Sequence, residues 1–164
     1  MVDRTCRILF VCHGNICRSP MAEFVMRQKL EQNGLADRVS VDSCAVSTEE
    51  LGRPVYPPAL ALLKGKGLDA SRKRARVMRP EDYRNFDLIL VMDDSNRRGV
   101  LRIAGGDPDG KVHRLLDATD RPRDVADPWY TGDFETAYRD ILEGCASLVP
   151  YLQRKEDLRS CFKN

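Results

Sequence analysis

The segment Arg7–Leu30 limits the fold more than any other. Its first residues, Arg7-Ile8-Leu9-Phe10-Val11, form a compact apolar run short enough for a buried strand, and the run stops at Cys12. Soon after, Ala22, Val25, Met26 and Leu30 recur at helical spacing, and Asn33-Gly34 closes that helix in the manner of a C-cap. The rest of the chain repeats the alternation. Val39–Ser43 alternates as a second strand. After Pro57-Pro58 comes a helical stretch with Leu60, Leu63 and Leu68, closed by Gly65 and Gly67. Asp87–Met92 is the clearest buried strand, and Asp93-Asp94-Ser95-Asn96 offers N-cap residues for a helix behind it. Lys111–Leu116 follows the turn Gly106–Gly110 as a fourth strand. Phe134, Ala137, Tyr138, Ile141, Leu142, Cys145, Leu148, Val149 and Leu152 mark one apolar stripe of a last helix.

This order predicts an α/β fold, an open parallel sheet with helices on both faces. No repeat, low-complexity segment or linker divides it, so residues 1–164 read as a single domain. Ligands of such sheets bind at the carboxyl ends of strands beside a topological switch point, which is where Cys12 falls.

With 27 Lys and Arg against 25 Asp and Glu, the formal net charge is +2. That excess is too small to make nucleic acid the main partner. The one local run, Arg72-Lys73-Arg74-Ala75-Arg76, reads as a solvated loop or a basic patch. The apolar stretch near the N-terminus is too short for a signal peptide and no later one could span a bilayer. A cytoplasmic protein without a membrane partner is expected. There the six cysteines (Cys6, Cys12, Cys17, Cys44, Cys145, Cys161) are expected as free thiols. Without a C-x-x-C pair, and with His13 and His113 far apart, no structural metal site is expected.

The turn from Cys12 to Arg18 has chemistry of its own. A loop between a strand and a helix N-terminus presents unpartnered backbone N–H groups, and the helix dipole favours negative charge there. Gly14 offers freedom for positive φ, Asn15 is the next most tolerant, Pro20 suits a first helical turn, and Ser19 stands before it as a cap. These features describe a nest for a dianion. Neither nucleotide-loop pattern, G-x-x-x-x-G-K-[ST] or G-x-G-x-x-G, is present. The same donors would stabilise a thiolate at Cys12, making it a nucleophile, and Arg18 can hold two phosphoryl oxygens in a bidentate fork. Taken alone, Cys12 could equally be a small buried hydrophobe that ends a strand.

With these residues in view, the sequence resembles the low-molecular-weight protein tyrosine phosphatases, whose signature is a C-x-x-x-x-x-R loop near the N-terminus and a distant Asp-Pro-aromatic motif. Here these are Val11–Pro20 and Asp127-Pro128-Trp129-Tyr130, and the likeness extends to Val41–Ser43, Leu90–Asn96 and Asp124–Pro128. The resemblance implies a four-stranded parallel sheet with a phosphate-binding loop after strand 1, formed by His13, Gly14, Asn15, Ile16, Cys17 and Arg18, and no metal or cofactor. It implies that Cys12 attacks phosphate to give a cysteinyl-phosphate while Asp127 protonates the leaving oxygen and then activates water. Phosphotyrosine-containing proteins or peptides would be the partners and inorganic phosphate the product. The residues alone leave Asp120, Asp124 and Asp127 as equal candidates for the acid; the resemblance selects Asp127.

The resemblance also implies supporting roles. Asn15 and Ser43 would brace the loop, Ser19 would stabilise Cys12, and Asp93 and Asn96 would support the loop or simply cap their helix. Trp129 and Tyr130 would form one wall of a substrate slot, though an aromatic there could also be core filler. Glu49 and Glu50 occupy the facing wall, where the family often has an aromatic, and Lys73 stands where it often has a histidine. A reversible disulfide between Cys12 and Cys17 is a further family trait. Other readings are an arsenate reductase, whose two relay cysteines are missing between Cys44 and Cys145, and a phosphoarginine phosphatase, which tends to have threonine in place of Ile16. A binding module without turnover would be expected to lack Cys12, Arg18 or Asp127, yet all three are present.

Overall fold

The computed structural model describes residues 6–162; the expected domain's ends, 1–5 and 163–164, lie outside the described residues. Four strands, β1 (Cys6–Cys12), β2 (Val39–Ala45), β3 (Leu88–Val91) and β4 (Val112–Arg114), form one parallel sheet in the order β2-β1-β3-β4. Among the described residues six helices accompany it: α1 (Arg18–Gln32), α2 (Pro57–Gly65), α3 (Pro80–Asn85), α4 (Asp94–Ala104), α5 (Pro128–Thr131) and α6 (Phe134–Gln153). The chain leaves β1 toward β2 on one side and later returns to β3 on the other. The connections after β1 and β3 therefore diverge and leave a crevice at the carboxyl ends of those strands. Cys12 is the last residue of β1 and opens into that crevice.

The two-residue period of β1 explains its unbroken apolar run. Ile8, Phe10 and Cys12 join the core layer made with α1, α2 and α6, while Leu9 and Val11 join the layer with Tyr83 of α3 and Val100 of α4. A strand covered on both faces has no polar side to show.

Several boundaries differ from the sequence pattern. Of Lys111–Leu116, only Val112–Arg114 is strand; Leu115 and Leu116 enter a 3-10 turn (Leu115–Ala118) and are fully buried there. An apolar run alone does not distinguish a strand from a buried turn. Helix α2 ends at Gly65, and Gly67, at φ +81°, places Leu68 outside it. Strand β3 excludes Asp87 and Met92, and β2 extends to Ala45. Helices α3 and α5 have six and four residues, too few to show an apolar period. The basic run is divided: Arg72 and Arg74 are exposed, whereas Lys73 and Arg76 turn inward onto carboxylates. The six cysteines are free thiols. Among the described residues no helix is long and apolar enough to cross a membrane.

Helix α6 passes the 3-10 turn at Gly144, where an added Cβ would lie 2.5 Å from Cγ of Leu115. Alanine is the better helix former by about 1 kcal/mol, but overpacking a filled core costs about 1–3 kcal/mol. Leu115 is fully buried and has no room to retreat. Gly144→Ala is expected to lower stability by about 1–2 kcal/mol in urea denaturation; a variant as stable as the parent would show that this packing is slack.

Candidate active site

The loop after β1 is held open by its own carbonyls. Those of Cys12, His13 and Ile16 accept N–H bonds from Val46 (3.1 Å), Ser47 (3.1 Å) and Tyr56 (2.9 Å), all outside the loop. In a trans peptide the following N–H points the opposite way, so His13, Gly14 and Cys17 aim their N–H groups away from these partners. Asn15 donates its backbone N–H to Sγ of Cys12 at 3.3 Å. It is Asn15, at φ +60°, and not Gly14 that adopts the left-handed conformation. Gly14 leaves space at the slot, since a Cβ there would lie 3.1 Å from Cγ of Glu50 and that side chain would have to shift by a few tenths of an ångström. Ser19 also differs from expectation. Helix α1 begins at Arg18 with Cys17 as its N-cap residue, so Ser19 lies inside the helix, and its hydroxyl faces Sγ of Cys12 at 2.9 Å.

A fully buried set of polar groups braces this turn. Asn15 donates through Nδ2 to Ser19 Oγ and Ser43 Oγ, both at 2.9 Å, while its Oδ1 accepts the backbone N–H of Arg76 at 3.1 Å. The hydroxyl of Ser43 donates in turn to Oε1 of Glu23 at 2.6 Å. Each group is thereby fixed as donor or acceptor, and the hydroxyl of Ser19, already accepting from Asn15, keeps its proton for Sγ or for the more distant carbonyl of Cys44 (3.4 Å). Glu23 is 2% exposed and is compensated by Arg27 at 2.5 Å and Lys73 at 3.2 Å. Lys73 also donates to the Ser43 carbonyl at 2.9 Å and to Asp42 at 3.2 Å, so the lysine does reach the loop's support.

Arg18 is 2% exposed. Its Nη1 donates to Oδ2 of Asp93 (2.7 Å) and to the Val125 carbonyl (2.9 Å), and its Nη2 to Oδ2 of Asp127 (3.2 Å). Burial pulls its pKa down, but the negative charge of Cys12, Asp127 and Asp93 outweighs this and holds it above the ordinary arginine value. Asp93 caps α4 through Oδ1, with Asn96 reciprocating, so it fills both of its expected roles. Asp127 caps α5, its Oδ1 accepting from the N–H of Trp129 at 3.1 Å. Burial, with the nearby Cys12 charge, pushes the Cys17 thiol up to about 12.

Cys12, Arg18 and Asp127 line one slot of about 110 Å³. His13, Ile16, Glu49, Glu50, Trp129 and Tyr130 are also part of its lining. Trp129 is half-exposed and packs on the Tyr56 ring at 4.8 Å, and Tyr130 is exposed; neither fills the core. His13 and Glu49 meet at 3.1 Å, and Glu50 pairs with Arg53 at 3.2 Å, giving the slot an acidic wall.

Residues 7–158 match the low molecular weight phosphotyrosine protein phosphatase family. The chain belongs to it. Among its relatives is the low molecular weight protein-tyrosine-phosphatase YfkJ of Bacillus subtilis, 35% identical over 92% of this chain and 98% of the relative. The crystal structure of YfkJ superposes with a TM-score of 0.88, covering 92% of this chain and 96% of that one at 34% identity. The low molecular weight phosphotyrosine protein phosphatase of Sus scrofa is 36% identical over 87% of this chain and 92% of its own. The structure of a Drosophila arginine phosphatase matches with a TM-score of 0.81 at 31% identity, covering 88% of this chain and 96% of that one.

Sequence reasoning missed Glu23, Asp42 and Arg76 as supports. The signal for Glu23 was present: Ser19, Glu23 and Arg27 recur every four residues, a polar stripe on a helix whose neighbouring positions are apolar. Asp42 and Arg76 belong to a lattice reaching Asp82, with Arg76 at 3.0 Å from each carboxylate. Burial raises the pKa of Asp42, but Lys73, the Ser43 N–H and Arg76 overcome this and set it below the ordinary carboxylate value. A carboxyl so depressed stabilises the fold above its unfolded pKa of about 3.9 and loses that contribution as pH falls through the folded value. Asp42→Asn should therefore be less stable than the parent at pH 7, by up to about 1 kcal/mol for so exposed a group. In thermal melts the difference should shrink as pH falls below about 3.9; a pH-independent difference would show that packing, and not charge, was lost.

Proposed function

We propose that this chain hydrolyses phosphotyrosine in proteins or peptides through a cysteinyl-phosphate. The observation that carries this reading is the convergence of Cys12, Arg18 and Asp127 on one slot with aromatic rings at its mouth. Phosphate enters the loop, Arg18 and the loop N–H groups take its non-bridging oxygens, and Sγ of Cys12 attacks phosphorus. As the P–O bond to the phenol breaks, Asp127 gives its proton to the departing oxygen. Oδ1 accepts from the N–H of Trp129 and Oδ2 from Nη2 of Arg18, so it is the turning of Arg18 to the phosphate that frees Oδ2 to face the leaving oxygen. The carboxylate then takes a proton from water as it attacks phosphorus, the S–P bond breaks, and inorganic phosphate leaves with Cys12 regenerated. No step calls on a metal or cofactor. Trp129 and Tyr130 offer aromatic surface to the phenol ring, while Glu49 and Glu50 add acidic groups to the lining.

Aryl phosphate hydrolysis in the presence of EDTA tests the reading. The parent should turn over, Cys12→Ser should be inactive, and Asp127→Ala should lose about 10²–10⁴-fold. Turnover by Cys12→Ser would overturn it, and a preference for phosphoarginine over phosphotyrosine would correct the substrate.

The loop carries a second thiol, which we assign to redox protection. Peroxide oxidises Cys12 to a sulfenic acid with release of water; the Cys17 thiol attacks that sulfur, a second water leaves, and a disulfide forms. The raised pKa of Cys17 keeps it a thiol at neutral pH, so it is not the site of first oxidation. Peroxide should inactivate the enzyme and dithiothreitol restore it. Cys17→Ser should recover incompletely, and equal recovery would remove the protective role.

A further inference from the structure

The segment that delivers Asp127 has no regular structure between the 3-10 turn and α5, yet it is tied down just ahead of the acid. Val125 is fully buried, donates its N–H to the Met92 carbonyl at 2.8 Å and accepts from Arg18 at 2.9 Å. One residue earlier, Oδ1 of Asp124 accepts from the backbone N–H of Asp94 at 3.2 Å and from Nη1 of Arg114 at 3.0 Å. Arg114, at the end of β4, is itself oriented by Asp117 at 2.8 Å. The neighbouring residue at the start of α4 is Asp93, which holds Arg18. The start of α4 thus grips the phosphate clamp through Asp93 and the acid segment through the N–H of Asp94.

We propose that Asp124 is a positioning residue for the general acid: its carboxylate fixes the entry of the acid segment on α4 and β4, so that Asp127 and Arg18 keep one relative geometry. This inference rests on the reading of Asp127 as the general acid. As a stability element Asp124 counts for little, because its carboxylate is half-exposed and water screens the pair with Arg114. Its effect lies in placement. Proton transfer requires the acid within hydrogen-bond reach of the leaving oxygen, and small displacements of a reacting group are costly. The consequence depends on the substrate. A poor leaving group needs the proton in the transition state, whereas a good one departs largely without it.

The test compares kcat/KM for phenyl phosphate and p-nitrophenyl phosphate, a poor and a good leaving group, in the parent, Asp124→Ala and Asp124→Asn. Asp124→Ala should lose about tenfold with phenyl phosphate and less than about threefold with p-nitrophenyl phosphate. Asp124→Asn, which keeps an acceptor oxygen for the Asp94 N–H, should recover most of the loss. In an Asp127→Ala background, Asp124→Ala should no longer discriminate between the two esters. Equal losses with both esters, or no loss, would overturn the inference and leave the phosphatase reading intact. A parent inert toward both esters would overturn the phosphatase reading and this inference with it.

Discussion

The structure depends on one buried cation. Arg18, 2% exposed, carries a full charge in a place where an unpaired one would be prohibitively costly. Its partners come from two separate parts of the chain: Asp93 at the start of α4, and the segment leading into α5, through the carbonyl of Val125 and the carboxylate of Asp127. Satisfying this guanidinium therefore pulls the crevice together. The helix after β1, the helix after β3 and the irregular segment after β4 cannot drift apart without leaving charge unpaired in a low-dielectric setting.

The other half of the site works by restricting choice. Glu23 can only accept from Ser43, and the N–H of Arg76 can only donate to Asn15. Between them the orientation of the Asn15 amide is settled, and with it the left-handed turn that aims the Asn15 N–H at Sγ. Helix, strand and loop all contribute to it. Cys12 is held by rigid elements and Asp127 by a segment without regular structure, and Arg18 and the start of α4 help to tie the two together.

Much of this was legible in the sequence. The unbroken apolar run Ile8–Val11 and the stripe of α6 follow from periodicity because their burial is regular. Cys12, Arg18 and the turn between them were readable because anion binding requires an unusual local composition. Other features were not. Leu115 and Leu116 are as apolar as a strand but are buried by a turn, and pattern does not separate the two. Gly14 was credited with a conformation that Asn15 adopts, since both tolerate it and only the neighbouring Glu50 side chain shows why position 14 lacks a Cβ. The residues alone could not choose between Asp120, Asp124 and Asp127. Contact with Arg18 is a property of the folded chain, separated by 109 positions in sequence.

Trp129 is the only tryptophan in the chain, and it stands half-exposed on the rim of the slot against the ring of Tyr56. The protein's intrinsic fluorescence excited at the red edge of its absorption is thus a local signal. It reports the Asp-Pro segment and its stacking partner, with no contribution from the two core layers. Emission would follow an occupant entering the slot without any label, and it would also register a loosening of that rim while the sheet stayed intact. Unfolding followed by emission alone would describe the mouth of the crevice, and backbone dichroism would be needed to see the rest.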